Sequence, residues 1–168
     1  MSEAKDRGDN LALYFFHQGK NNRAYDYMGA HRTDDSDTVS FRVWAPHAKS
    51  VSVIGDFNSW DVFASPMSKI NDAGVWECYI SGVSEYDKYK YHIVCSDGIT
   101  EKDKSDPYAF HSETRPGNAS KFFELGGYKW NDSDWQKSKK NLNPYASPMN
   151  IYEVHAGSWK QHADGNPY

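Results

Sequence analysis

Between Val39 and Val43 apolar residues alternate with Ser40, Arg42 and Trp44, and the pair Ala45-Pro46 breaks the run. A second apolar segment follows at Val51, Val53 and Ile54-Gly55, ending in the turn-rich stretch Asp56-Phe57-Asn58-Ser59-Trp60. Period two predicts strands with one buried and one wet face. The same pattern recurs twice. In Val75 to Ile80, Trp76, Cys78 and Ile80 share a face; in Tyr89 to Val94, Tyr89, Tyr91 and Ile93 lie on one side, with Lys90 and His92 on the other. Ser96-Asp97-Gly98 is a hairpin signal, and residues 119–125 form the last strong strand pattern. Short strands separated by turn signals, with scarcely any helical periodicity, predict a mainly β fold: an immunoglobulin-like antiparallel β-sandwich.

The flanks read differently. NLALYFFHQ predicts a short helix capped by Asp9 or Asn10 and stopped by Gly19, and Arg23 to Arg32 reads as a covering hairpin or irregular arm. Beyond the sandwich, Asp132 caps a turn of helix that ends in lysines, and a proline-containing linker follows. Strand-like alternation resumes at Met149 to Trp159 with nothing after it to pair with. The expected organisation is an arm over 1–36, the sandwich over 37–126, a linker over 127–148 and the opening strand of a second unit over 149–168.

Composition narrows the partners. A net charge of -4 without any basic run removes the electrostatic basis for nucleic acid or an anionic membrane surface. The amino-terminal stretch lacks the apolar core of a signal peptide and no run is long enough to span a bilayer, so the expected location is cytoplasmic. Cys78 and Cys95 lie inside strand patterns without C-x-x-C spacing, which predicts reduced thiols. No metal or cofactor motif is present.

Catalytic residues are not expected in this chain. Glycosyl transfer with retention needs two carboxylates about 5 Å apart. Asp56 belongs to a turn, Glu113 lies beside Arg115 in a loop, and Glu153 sits in the terminal strand pattern. Binding is better supported, because sugar rings present C–H faces and a rim of hydroxyls that suit a flat aromatic bordered by polar groups. Trp60, Asn58 and Lys90 would meet that need. An indole in a loop can equally serve as a lid, packed here on Phe63 or Met67; Trp44 and Trp76, within strands, read as structural.

Phe41-Arg42-Val43-Trp44-Ala45-Pro46, the run from Val51 to Asp61, Gly74-Val75-Trp76-Glu77, Tyr89-Lys90-Tyr91 and Lys104 to Ala109 together resemble the glycogen-binding module that precedes the catalytic barrel in 1,4-alpha-glucan branching enzymes. Tyr25 to His31 resembles the arm of the bacterial enzymes, and Ile151 to Trp159 resembles the first strand of an alpha-amylase-type barrel. The resemblance implies an alpha-glucan ligand and a parent enzyme that cleaves alpha-1,4 chains through a covalent intermediate and rejoins them as alpha-1,6 branches. It also implies a catalytic barrel as the missing partner, with this stretch alone inactive. Trp60 and Lys90 fall on the family's sugar-binding positions. Asp97-Gly98 is followed by Ile99-Thr100 where glycogen-sensing relatives carry a second tryptophan. A stand-alone regulatory module and a protein–protein brace are the alternative readings.

Overall fold

A computed structural model describes residues 11–34 and 37–165. The chain divides into two compact units, Met1–Gly126 and Gly127–Tyr168.

The first unit opens with helix α1 (residues 11–17), stopped at Gly19, whose backbone is left-handed. Its expected cap at Asp9 or Asn10 lies outside the described residues. Among the described residues nine strands follow: β1 (Gly29–Arg32), β2 (Thr38–Trp44), β3 (Ala48–Gly55), β4 (Ser68–Lys69), β5 (Val75–Ser81), β6 (Lys88–Cys95), β7 (Glu101–Lys104), β8 (His111–Ser112) and β9 (Ser120–Lys121). One sheet has the order β1-β2-β5-β4. The other runs β3-β6-β9-β8, with β7 also on β6, and all named pairings are antiparallel.

The core lies between the sheets, built by the alternating residues. Val39, Phe41 and Val43 of β2 meet Val51 and Val53 of β3 and Tyr89 and Tyr91 of β6, all buried. Phe41 is fully enclosed and meets Tyr89 edge-on at 5.1 Å, so truncating it to alanine should cost about 3–5 kcal/mol.

Alternation alone does not explain Ser40 and Arg42, which are also buried. The arm covers them. It makes a 3-10 turn at Ala24–Asp26, and β1 then pairs antiparallel with β2 across a short loop, forming the hairpin of the two expected alternatives and closing the sheet edge. Tyr27, Met28 and Val75 form a second small core beneath Leu13 and Phe16. Arg42 stacks on the Tyr27 ring at 4.3 Å and pairs with Glu77 at 2.5 Å. Burial, the largest single influence, disfavours its charge, but Glu77 together with Tyr27 and Tyr79 outweighs it and the guanidinium's pKa is raised.

Asp106 is the other buried polar centre. Its carboxylate accepts the Tyr89 hydroxyl at 2.7 Å, the Tyr91 hydroxyl at 3.2 Å and the Tyr108 N–H at 2.8 Å, while its own N–H donates to Ser120 Oγ. Gly29, with φ of +95°, lies against this loop; a Cβ there would stand 3.1 Å from the Tyr108 Cβ. The Asp-Pro-Tyr segment thereby fastens the arm to the end of β6.

Cys78 and Cys95 are free thiols, and burial pushes the Cys78 pKa up to about 12. The strand pattern over 119–125 shortens to Ser120–Lys121, because Phe122 pairs with the loop residues Tyr86 and Asp87 instead of with a strand.

In the second unit, α2 (Ser133–Lys140) follows Asp132, whose carboxylate accepts the Gln136 side-chain amide at 2.9 Å instead of capping the backbone, and ends in Lys137, Lys139 and Lys140, suiting the helix dipole. The strand expected between Met149 and Trp159 does not form. Residues 149–155 lack regular structure, and Ala156–Trp159 make one helical turn, α3. A strand's backbone groups need a neighbouring ladder, and no described residue pairs with 149–155. None of the described side chains beyond Gly126 is buried.

Candidate functional site

The end of β3 determines how Trp60 is held. Gly55 is extended, and a Cβ there would lie 2.4 Å from the Lys88 carbonyl and 2.8 Å from the Phe57 ring, so a larger residue does not fit. The chain then makes a 3-10 turn, Asp56–Asn58, from which Phe57 reaches back to Phe41 at 5.7 Å. Ser59 and Trp60 follow in the left-handed region, with φ of 56° and 61°. That conformation is uncommon for any side chain and an outlier for an indole. Trp60 N–H closes the loop on the Gly55 carbonyl at 2.9 Å.

The indole is held outward. Its Nε1 donates to Asp56 Oδ1 at 3.0 Å, and 36% of the residue's surface is accessible. Of the two residues that the indole could have covered, Phe63 is 85% exposed and so is not beneath it, and Met67 is buried in the core between the sheets. Asn58 is placed otherwise. Its Oδ1 accepts the Gly55 N–H at 2.9 Å, and its Nδ2 donates to the Val53 carbonyl at 2.8 Å and to Ser65 Oγ at 3.0 Å. Both amide donors are committed to bracing the loop.

Lys90 is half-buried on the outward face of β6, opposite Ile54. The next pair in register is Gly55 with Tyr89, and Gly55 also anchors Trp60. Trp60 and Lys90 are thus brought to the same end of one sheet.

The carboxylates considered for chemistry are used structurally or stand apart. Asp56 accepts Trp60 Nε1 and, through Oδ2, the Lys88 N–H at 2.9 Å. Glu113 accepts the Ala119 N–H and faces Lys88 at 3.6 Å, while Glu153 is exposed. Trp76 Nε1 donates to the Ala45 carbonyl; Trp44, half exposed, donates to the Ala73 carbonyl. Among the described residues no cluster of three His, Cys, Asp or Glu could hold a metal ion, and no helix is long and apolar enough to cross a membrane. Two features escape a reading of the sequence: the orienting role of Asp56, and a groove beside Phe63.

Residues 27–109 match the family model described as carbohydrate-binding module 48, the isoamylase N-terminal domain. Residues 27–109 form a family-48 carbohydrate-binding module. Over nearly its whole length the chain is also similar to 1,4-alpha-glucan branching enzymes: 45% identical to that of Bacillus caldolyticus over 161 residues, 95% of this chain and 24% of the relative. The Bacillus subtilis enzyme is 44% identical over 93% of the chain and 25% of its own length, and that of Francisella philomiragia 46% identical over 90% and 24%. This chain therefore spans about a quarter of the length of the relatives it matches. The stretch that these branching enzymes share with this chain includes the module. A crystal structure described as an alpha-amylase from Salmonella typhimurium superposes with a TM-score of 0.50 at 24% identity, over 64% of this chain and 16% of that one, a likeness of fold alone.

Proposed function

We propose that this module holds alpha-1,4-glucan at the Trp60 end of its second sheet and guides it to a retaining transferase barrel that forms alpha-1,6 branches in glycogen. The observation that carries the reading is the left-handed pair Ser59 and Trp60. Each such residue costs about 1–2 kcal/mol of backbone strain, and strain of this kind concentrates at functional sites. Here it turns a bulky indole outward, where its face can meet the C–H surface of a glucose ring. Lys90 supplies donors for sugar hydroxyls from the adjacent strand, and Asn58 keeps the loop in shape.

The barrel belongs to the same proposal. Beyond Gly126, Trp130, Tyr145, Ile151 and Tyr152 are each more than three-quarters exposed, which favours a further folded body that covers them. Residues 149–168 would open that body, their first strand forming once neighbouring strands supply a ladder. A cytoplasmic location, beside stored glycogen, completes the reading.

Native electrophoresis in gels containing glycogen tests it. The wild-type chain should be retarded, and Trp60→Ala and Lys90→Ala should each migrate as if glycogen were absent. Wild-type mobility unaffected by glycogen would overturn the glycan site.

A further inference from the structure

The loop after Trp60 lies along the free edge of β3: Val53 N–H donates to the Ser65 carbonyl, Met67 N–H donates to the Val51 carbonyl, and Pro66 bridges Ser52. Fastened there, it raises Val62 and Phe63 beside a groove of about 410 Å³ on the sheet's outward face. That is within the roughly 300–1,000 Å³ typical of small-ligand sites. Ser50, Ser52, His92 and Glu101 contribute the polar lining. Although its loop is pinned on both sides, Phe63 stands 85% exposed.

We propose that this groove is a second glucan subsite, extending along β6 from the one at Trp60 and Lys90; the proposal rests on that first reading. Three observations select the occupant. Lys90 and His92 are alternate residues of one strand on the same face, roughly 7 Å apart, so one continuous oligosaccharide can lie across both. Phe63 offers a flat apolar ring to the C–H face of a sugar, in the same manner as the indole. On the opposite side, His92 Nδ1 lies 2.8 Å from Asp103 and its Nε2 lies 3.8 Å from Glu101, giving an acidic rim that accepts hydrogen bonds from neutral hydroxyls and repels phosphate or sulfate.

Titration calorimetry of the whole chain with maltotriose and maltoheptaose is the test. Phe63→Ala should weaken maltoheptaose binding about fivefold to tenfold. Maltotriose, with fewer rings to share between the two subsites, should lose less, and Phe63→Trp should restore the longer ligand. Because Phe63 is so exposed, the melting temperature of either variant should match the parent's. Unchanged maltoheptaose affinity in Phe63→Ala, alongside loss in Trp60→Ala, would overturn the extension and leave the first site standing. Failure of the wild type to bind either sugar would overturn both.

Discussion

Trp60 Nε1 donates to Asp56 Oδ1 at 3.0 Å, and the same carboxylate's other oxygen takes the Lys88 N–H at 2.9 Å. One turn residue thus links the indole's orientation to the start of the central strand β6. Asp56→Ala should lower glycogen retention severalfold although Trp60 itself is intact, and should cost about 1–2 kcal/mol of stability for the lost hydrogen bonds. Affinity electrophoresis paired with urea unfolding reads both effects, and retention equal to the parent's would show that the orientation is held elsewhere.

Asn58 acts through the backbone. Removing its amide leaves the Gly55 N–H and the Val53 carbonyl without their partner, so Asn58→Ala should destabilise the chain by about 2–4 kcal/mol. Trp60→Ala, by contrast, should leave the unfolding midpoint close to the parent's while abolishing glycan retention. The two variants therefore separate in urea melts: if both proved equally unstable, the indole would be a structural residue.

Asp106 makes stability depend on pH in an unusual direction. Burial, the dominant influence, raises its pKa above the ordinary 3.8, against the opposing pull of the Tyr108 N–H and the Tyr89 and Tyr91 hydroxyls. The folded state then binds the proton more tightly than the unfolded chain. Its contribution is most favourable below pH 3.8 and declines as pH rises from there through the raised value. Asp106→Asn keeps the shape without the charge, so over that window its stability should rise relative to the parent's and the difference should level off above it. Urea unfolding between pH 3 and 8 measures this; a parent that gains on the variant as pH rises would mean that the hydrogen bonds outweigh burial. Asp106→Ala should cost about 2–4 kcal/mol throughout, because the buried Tyr89 hydroxyl and the Tyr108 N–H lose their acceptor and Tyr91 keeps only the Arg42 carbonyl.

Purified as these 168 residues, the chain should cause no shift in the iodine stain of amylose, since Asp56 and Glu113 are engaged in loop contacts. A shift that persists in Asp56→Asn would point to chemistry elsewhere in the chain; one abolished by it would give Asp56 a catalytic role.

Where burial follows strict alternation, the fold is legible from the residues. Val39, Phe41 and Val43, and Tyr89 and Tyr91, occupy the inner faces that their spacing predicts. Elements held by backbone pairing are not legible in this way. Glu101–Lys104 is strand by virtue of its ladder with β6 and has no apolar residue to announce it. Gly29–Arg32 becomes strand because Met28 anchors the preceding turn beneath the sheet. At the candidate site, residue type points to Trp60, Lys90 and Asn58 alike, but the inward aim of the Asn58 amide depends on a loop whose left-handed residues are neither glycine nor asparagine. The pattern at 149–159 carries a strand's alternation without a strand's neighbours, and there alternation alone does not suffice.

The wholly charged β7 has a consequence for crowding. Lysine and acid alternate along Glu101-Lys102-Asp103-Lys104, all of it exposed, on a strand paired with β6. An apolar edge there would invite copies held close together, as on the glucan proposed above, to zip into intermolecular sheets. A fringe of fixed ions resists that merger and would keep closely spaced copies separate.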